Sequence, residues 1–161
     1  VPVSYTMLLN LASVVNAEEP AVLWGFIRAY APDATPANHP RLDEQVRLAI
    51  AYFRDFVKPA KRYRLPTDQE RAAMAELEQH LAATAEHTDG ETLQNEVYEI
   101  GKRHGFENLR LWFKALYEVL LGQSQGPRMG SFFALYGVAN SRELVRRALA
   151  GELVATADAG S

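Results

Sequence analysis

The sequence predicts an all-α fold, a bundle of about seven to eight helices, and three observations carry that prediction. Apolar residues recur at three- and four-residue spacing: Leu42, Val46, Ala49, Ile50, Phe53, Val57, then Met74, Leu77, Leu81, then Leu93, Val97, Ile100, with His104 in the same row. No stretch keeps the two-residue alternation of a strand. Helix starts and stops punctuate the chain at intervals that suit helices and short loops.

The first helix is expected near 4–15 and the second near 18–31. Asn16 with Glu19 reads as a start signal, and Pro20 sits in the first turn, where its missing N–H has no intrahelical partner. Three prolines between 32 and 40 break the chain. A third helix is expected over 41–57. Thr67 with Glu70 makes a capping box for a helix over 67–87. Helices over 91–104 and 109–121 stop at Gly105 and Gly122. A short aromatic helix over 131–136 stops at Gly137, and Asn140 with Glu143 starts a last one over 141–153. Residues 1–153 are expected to form one helical domain and 154–161 a flexible tail.

The 161 residues are 48% hydrophobic and 23% charged, and they include no cysteine. Disulfides and thiolate metal sites are therefore excluded. No apolar run approaches the roughly 18–20 residues that span a bilayer, and no basic segment precedes the first apolar stretch as in a signal peptide. No membrane partner is expected. The chain starts without methionine, as a fragment of a longer protein would. Net charge is −3, but the charges are segregated. Residues 54–66 hold five basic side chains against one acidic, 67–99 one against nine, and 100–147 eight against three. Fields act locally over about 8–10 Å at physiological salt, so a basic patch works on an acidic chain.

No catalytic or metal motif is present. His39, His80, His87 and His104 are scattered, and His104 reads as a core or cap residue. No glycine-rich nucleotide loop occurs, and Glu76, Glu78, Glu96 and Glu99 read as a solvated face. No metal and no cofactor are expected in this chain. A small helical hydrolase would need a nucleophile–base pair, which the sequence does not offer.

Two clusters suit nucleic acid. In 55–64, Lys58, Lys61, Arg62 and Arg64 interleave with Tyr63, supplying phosphate contacts and a ring for stacking. The alternative is a solvated linker whose cations favour a helix C-terminus. In 122–133, Gly122, Gly126 and Gly130 let the backbone approach a ligand. Gln123, Gln125 and Arg128 offer base-edge donors, and Phe132 or Phe133 a stacking surface. The alternative is that Arg128 caps a neighbouring helix and both phenylalanines are core. Between the clusters lies the helix 109–121. Its charges Arg110, Lys114 and Glu118 recur every four residues, forming one stripe on an otherwise apolar helix. Trp112 and Phe113 read as core, with base stacking as the alternative.

Several phrases resemble one family. MLLNLASVVNAEEPAVLWGFI (7–27), YFRDFVKPAKRYRLPTDQE (52–70) and VYEIGKRHGFENLRLWFKALYEVLLGQSQGPRMGSFFALYG (97–137) are similar to the C-terminal region of class I, archaeal-type lysyl-tRNA synthetases. The last phrase also resembles the end of bacterial glutamyl-tRNA synthetases. The HIGH and KMSKS signatures of the catalytic domain are absent. The resemblance implies a helical cage that holds the anticodon of lysine tRNA. ATP and lysine would bind a catalytic domain of the same parent chain, in the cytoplasm, and no DNA partner is implied. Lysine anticodons are uridine-rich, and uracil would be read by Arg128, Gln123 or Gln125 while Lys58, Lys61, Arg62 and Arg64 hold the backbone. A helical protein–protein module is the competing function.

Overall fold

The computed structural model describes residues 3–159, which contain nine α-helices and no strand. They fall into two compact units, Val1–Lys61 and Arg62–Ser161. The helical bundle expected from the sequence is present.

The first unit holds α1 (Tyr5–Val15), α2 (Pro20–Tyr30) and α3 (Pro40–Tyr52). Ser4 caps α1, its hydroxyl accepting from the Met7 N–H at 3.1 Å. Asn16 ends that helix in the left-handed conformation, with φ 49°. It does not start α2. Glu19 stands at that N-cap without a side-chain bond, and Pro20 follows as the first helical residue. The sequence signal at Asn16 was genuine but belonged to a stop, because asparagine tolerates the left-handed region as well as it caps. The core is formed by Leu8, Leu11, Leu23, Ile27, Val46 and Ala49, none with exposed surface. The indole N–H of Trp24 donates to Asp43 at 2.9 Å. That bond, with help from Arg47, holds the Asp43 carboxyl below its ordinary range against the cost of burial.

The second unit holds α4 (Asp68–Ala82), α5 (Gly90–Arg103), α6 (Leu109–Leu116), α7 (Met129–Tyr136), α8 (Val138–Leu149) and α9 (Glu152–Ala159). Here α4 packs on α8 and α5 on α7. The capping box of α4 forms in full between Thr67 and Glu70. The one expected at Asn140 does not. Asn140 lies inside α8, its amide donating to the Tyr136 carbonyl at 2.8 Å. The start of α8 is capped from elsewhere: Glu86 accepts the Val138 N–H at 3.1 Å and the Ala139 N–H at 2.7 Å. Glu86 lies in the stretch expected to extend α4 to residue 87. That helix ends at Ala82, and His87 takes φ 67°.

Gly151, with φ 77°, interrupts the chain after α8. The helix expected over 141–153 breaks there, and α9 begins at Glu152, which pairs with Arg146 at 3.2 Å, and runs through residues 154–159 of the expected tail. Residues 160 and 161 lie outside the described residues.

Both α3 and α6 run on into a five-residue π-helical turn, Phe53–Val57 and Tyr117–Leu121. The wider turn rotates the following chain relative to a continuing α-helix, and such turns gather at functional sites. The first turn overlaps the start of the candidate cluster 55–64, and the second ends where 122–133 begins.

Candidate nucleic-acid interface

In the first unit, the chain leaving the π turn carries Lys58 and Lys61. Lys58 is exposed, and its side chain has no hydrogen bond or ion pair among the described residues. Lys61 is turned inward. Its ammonium donates to the Ser13 hydroxyl at 2.9 Å and carbonyl at 3.3 Å, and lies 5.7 Å from the Phe53 ring centre. Burial, with a smaller push from Lys58, lowers its pKa to about 8. The folded state therefore holds this proton less tightly than the unfolded chain. Below pH 8 the penalty is fully present, and stability rises with pH between about 8 and the ordinary lysine value. Comparing wild-type with Lys61→Met by denaturant unfolding, the wild-type chain should gain stability relative to the variant from pH 8 to pH 10. A pH-independent difference would contradict the burial of that charge. The Lys61 ammonium is thus turned to Ser13 rather than to solvent, whereas Lys58 of the same expected cluster is exposed.

In the second unit, residues 62–64 run beside Gly122. The Arg62 N–H donates to the Gly122 carbonyl at 2.9 Å. Tyr63 lies against Gly122, where an added Cβ would stand 3.3 Å from its ring, and burial pushes the Tyr63 hydroxyl up to about 12. Tyr63 is thereby a packing residue. Arg64 is a pin as well: its guanidinium grips Glu70 at 2.7 and 3.1 Å and Glu118 at 2.8 Å. Glu70 raises the Arg64 pKa against the effect of burial, with help from Glu118. Burial works against the Glu70 carboxylate, but Arg64 and Thr67 more than offset it and its pKa falls. Arg64 thus joins the end of the linker to α4 and α6, and little of its donor capacity remains for a phosphate.

The glycine-rich loop has a structural explanation for each glycine. Gly122 has φ 69°. A Cβ on Gly126 would meet the Tyr117 ring at 2.5 Å, and one on Gly130 would meet the Gln94 nitrogen at 2.3 Å and the Gly90 carbonyl at 2.4 Å. The Gly130 N–H donates to the Gln94 side chain at 2.6 Å, so Gly130 is where α7 closes on α5. Phe132 and Phe133 have no exposed surface. Neither presents a face to a base, and the stacking expected of Phe132 is replaced by packing against Tyr136 at 5.7 Å.

What remains exposed in the loop is its polar part. Gln125 and Arg128 are exposed, and neither side chain has a hydrogen bond or ion pair among the described residues. Arg128 stands at the start of α7 without capping any helix by its side chain. Gln123 is half-buried. The Tyr117 hydroxyl donates to the Pro127 carbonyl at 3.0 Å, which seats the loop on the end of α6.

The face of α6 extends this surface. Asn108 caps the helix, accepting from the Arg110 N–H at 3.0 Å. Arg110 and Lys114 are exposed and, like Arg128, have no side-chain partner among the described residues, whereas Glu118 of the same stripe is taken by Arg64. From Arg110 to Tyr117 is about 10 Å along the helix axis. One stretch of the second unit thus presents three unpartnered cations and an amide. On the side of α6 toward Leu111 and Lys114, a cleft of about 580 Å³ is lined also by Phe106, Glu70 and Glu118.

Trp112 is fully buried, and its indole donates to the Val97 carbonyl at 3.0 Å. His104 caps α5 and bonds Glu76 at 2.9 Å. The sequence reading missed Tyr98. It is 39% exposed on α5, with its ring centre 5.0 Å from that of Phe113 and the planes 65° apart. Tyr98 lies one residue beyond the core position Val97, which was the only signal available. Among the described residues no helix is long and apolar enough to cross a membrane.

The chain is 53% identical over 152 residues to a lysine–tRNA ligase of Roseobacter denitrificans, covering 94% of this chain and 29% of that protein. It is 44% identical over 143 residues to one of Rickettsia peacockii, covering 89% and 27%. Over 147 residues it is 44% identical to one of Rickettsia bellii, covering 91% and 28%. No family model matches the chain, and no solved structure does. Along nearly its whole length, then, the chain is homologous to a stretch of the lysine–tRNA ligases that makes up less than a third of each.

Proposed function

We propose that this chain is the tRNA-binding helical part of a class I, archaeal-type lysine–tRNA ligase, and that it holds the anticodon region of lysine tRNA for ATP-dependent aminoacylation. ATP and lysine bind a catalytic domain of the same parent chain, and the whole works in the cytoplasm. The observation that carries the reading is the exposed set Arg110, Lys114, Gln125 and Arg128 on one unit, whose donors have no partners among the described residues. Unpartnered guanidinium and ammonium groups on a chain of net charge −3 are suited to phosphates and base edges. Homology to proteins named lysine–tRNA ligase supplies the class of partner. Lys58 and Arg62 belong to the proposed backbone contacts. Lys61, Tyr63, Arg64 and Phe132 serve the fold instead.

Gel-shift titration of a lysine-tRNA anticodon stem-loop across a salt series tests the reading. Binding should weaken linearly on logarithmic axes, each neutralised phosphate contributing a slope of about −0.9 on paired and −0.7 on single-stranded RNA. Absence of binding at low salt would remove the proposal.

A further inference from the structure

We propose that Tyr98 and Phe113 form a platform on which an unpaired RNA base stacks, between a phosphate on Arg110 and another on Arg128. This deepens the tRNA-binding reading and rests on it.

Four observations lead there. Tyr98 is one of few large aromatic side chains left exposed, at 39%. Its contact with half-buried Phe113 is edge-to-face at 65°. In that geometry one ring leaves both of its faces uncovered by the other. Tyr117 completes the group. Burial first, and then the nearby Tyr98, raise its hydroxyl pKa, and Phe113 and Tyr117 lie one turn apart on the same side of their helix. Finally, cations stand at both ends. Arg110 is one turn before Phe113, and Arg128 follows Pro127, whose carbonyl is held by Tyr117.

The arrangement fits a nucleic-acid strand better than a protein surface. A protein partner calls for a contiguous apolar patch of several hundred square ångströms. Here Phe113 shares its helix with Arg110, Tyr98 shares its helix with Lys102, and Arg128 follows the Pro127 carbonyl held by Tyr117. Arg110 and Arg128 have no carboxylate partner among the described residues, and Lys102 pairs with Glu99 at 3.4 Å. Stacking on an aromatic ring accepts any base, while cations at the flanks take the backbone. The platform therefore contributes affinity, and selectivity is left to donors such as Gln125.

The test uses the 161-residue chain, a lysine anticodon stem-loop, and the same stem-loop with single abasic positions in the loop. Tyr98→Ala should weaken binding roughly 5- to 150-fold, the range that corresponds to loss of one stacked base. Tyr98→Phe should bind like wild-type, and the salt slope should not change in either variant. One abasic position should weaken wild-type binding and have no further effect on Tyr98→Ala. Tyr98→Leu, which keeps apolar packing on Phe113 without a ring, repeats the test if Tyr98→Ala unfolds. Wild-type affinity in the ring-less variant overturns the platform and leaves the tRNA-binding reading intact. Unchanged RNA binding with altered self-association in sedimentation overturns it in favour of a protein contact. Additive losses from the abasic position and the variant also overturn it. A wild-type chain that does not bind the stem-loop removes both proposals.

Discussion

Trp112→Ala is expected to destabilise the second unit by about 3–5 kcal/mol, the usual cost of deleting a buried aromatic side chain. The site is closed on every side. The indole has no exposed surface, its N–H donates to Val97, and its ring lies 5.2 Å from that of Phe106. The indole packs directly on Gly101, where a Cβ would approach it to 2.5 Å and where glycine has no side chain to fill the space left behind. Truncation therefore leaves a cavity, and the Val97 carbonyl, inside α5, keeps only its intrahelical bond. Against a typical domain stability of about 5–15 kcal/mol this is a large share. Urea unfolding followed by helical circular dichroism should show the transition at much lower denaturant. Trp24, in the first unit, remains as a separate fluorescent reporter. An unshifted midpoint would contradict the placement of Trp112 at the centre of the second unit.

Charge reversal at Arg110 and Arg128 should have the largest effect on RNA. Arg110→Glu with Arg128→Glu is expected to weaken the stem-loop complex by more than about tenfold at moderate salt, since each side chain passes from attracting a phosphate to repelling one. The log–log salt slope should become shallower by about 0.7–0.9 for each lost contact. Thermal stability should hold, because neither side chain bonds to anything among the described residues. Arg64→Ala makes the contrast. It should lower the melting temperature by releasing Glu70 and Glu118 while leaving the salt slope unchanged. If Arg64→Ala flattens the slope and the double reversal does not, phosphates bind the linker and the α6 surface is not the interface.

Local chemistry made much of this legible in the sequence, and tertiary chemistry hid the rest. Thr67 and Glu70 satisfy each other within one turn, so their capping box was readable. The stops at Gly105, Gly122 and Gly137 were readable because each takes a positive φ. Glu86 was not readable as a cap, because it acts on a helix 52 residues away. The π turns left no sign in the apolar spacing, which runs unbroken through Val57 and Leu121.

The candidate site divided on the same line. Basic residues near one another in sequence suggested one binding cluster. Folding partners then consumed Lys61 and Arg64, which no local pattern could show. Glycine spacing suggested a ligand cradle, whereas Gly130 is needed for the approach of α7 to Gln94. Arg110, Lys114 and Arg128 survived as candidates because no partner among the described residues claims their side chains. The cost of leaving such groups solvated is small, so they are free to be kept for a ligand.

The most direct test of the central claim compares two stem-loops on the wild-type chain, one with the lysine anticodon and one with that anticodon replaced by an unrelated triplet. The stems and loop lengths are identical, so phosphate attraction is the same in both. The lysine anticodon should bind more tightly across the salt series, and the difference should shrink in Arg128→Ala if that side chain reads a base, where a bidentate contact gives roughly 1–3 kcal/mol of discrimination in DNA recognition. Equal affinity of the wild-type chain for both stem-loops would contradict that claim, reducing Arg110, Lys114 and Arg128 to a basic surface without anticodon recognition.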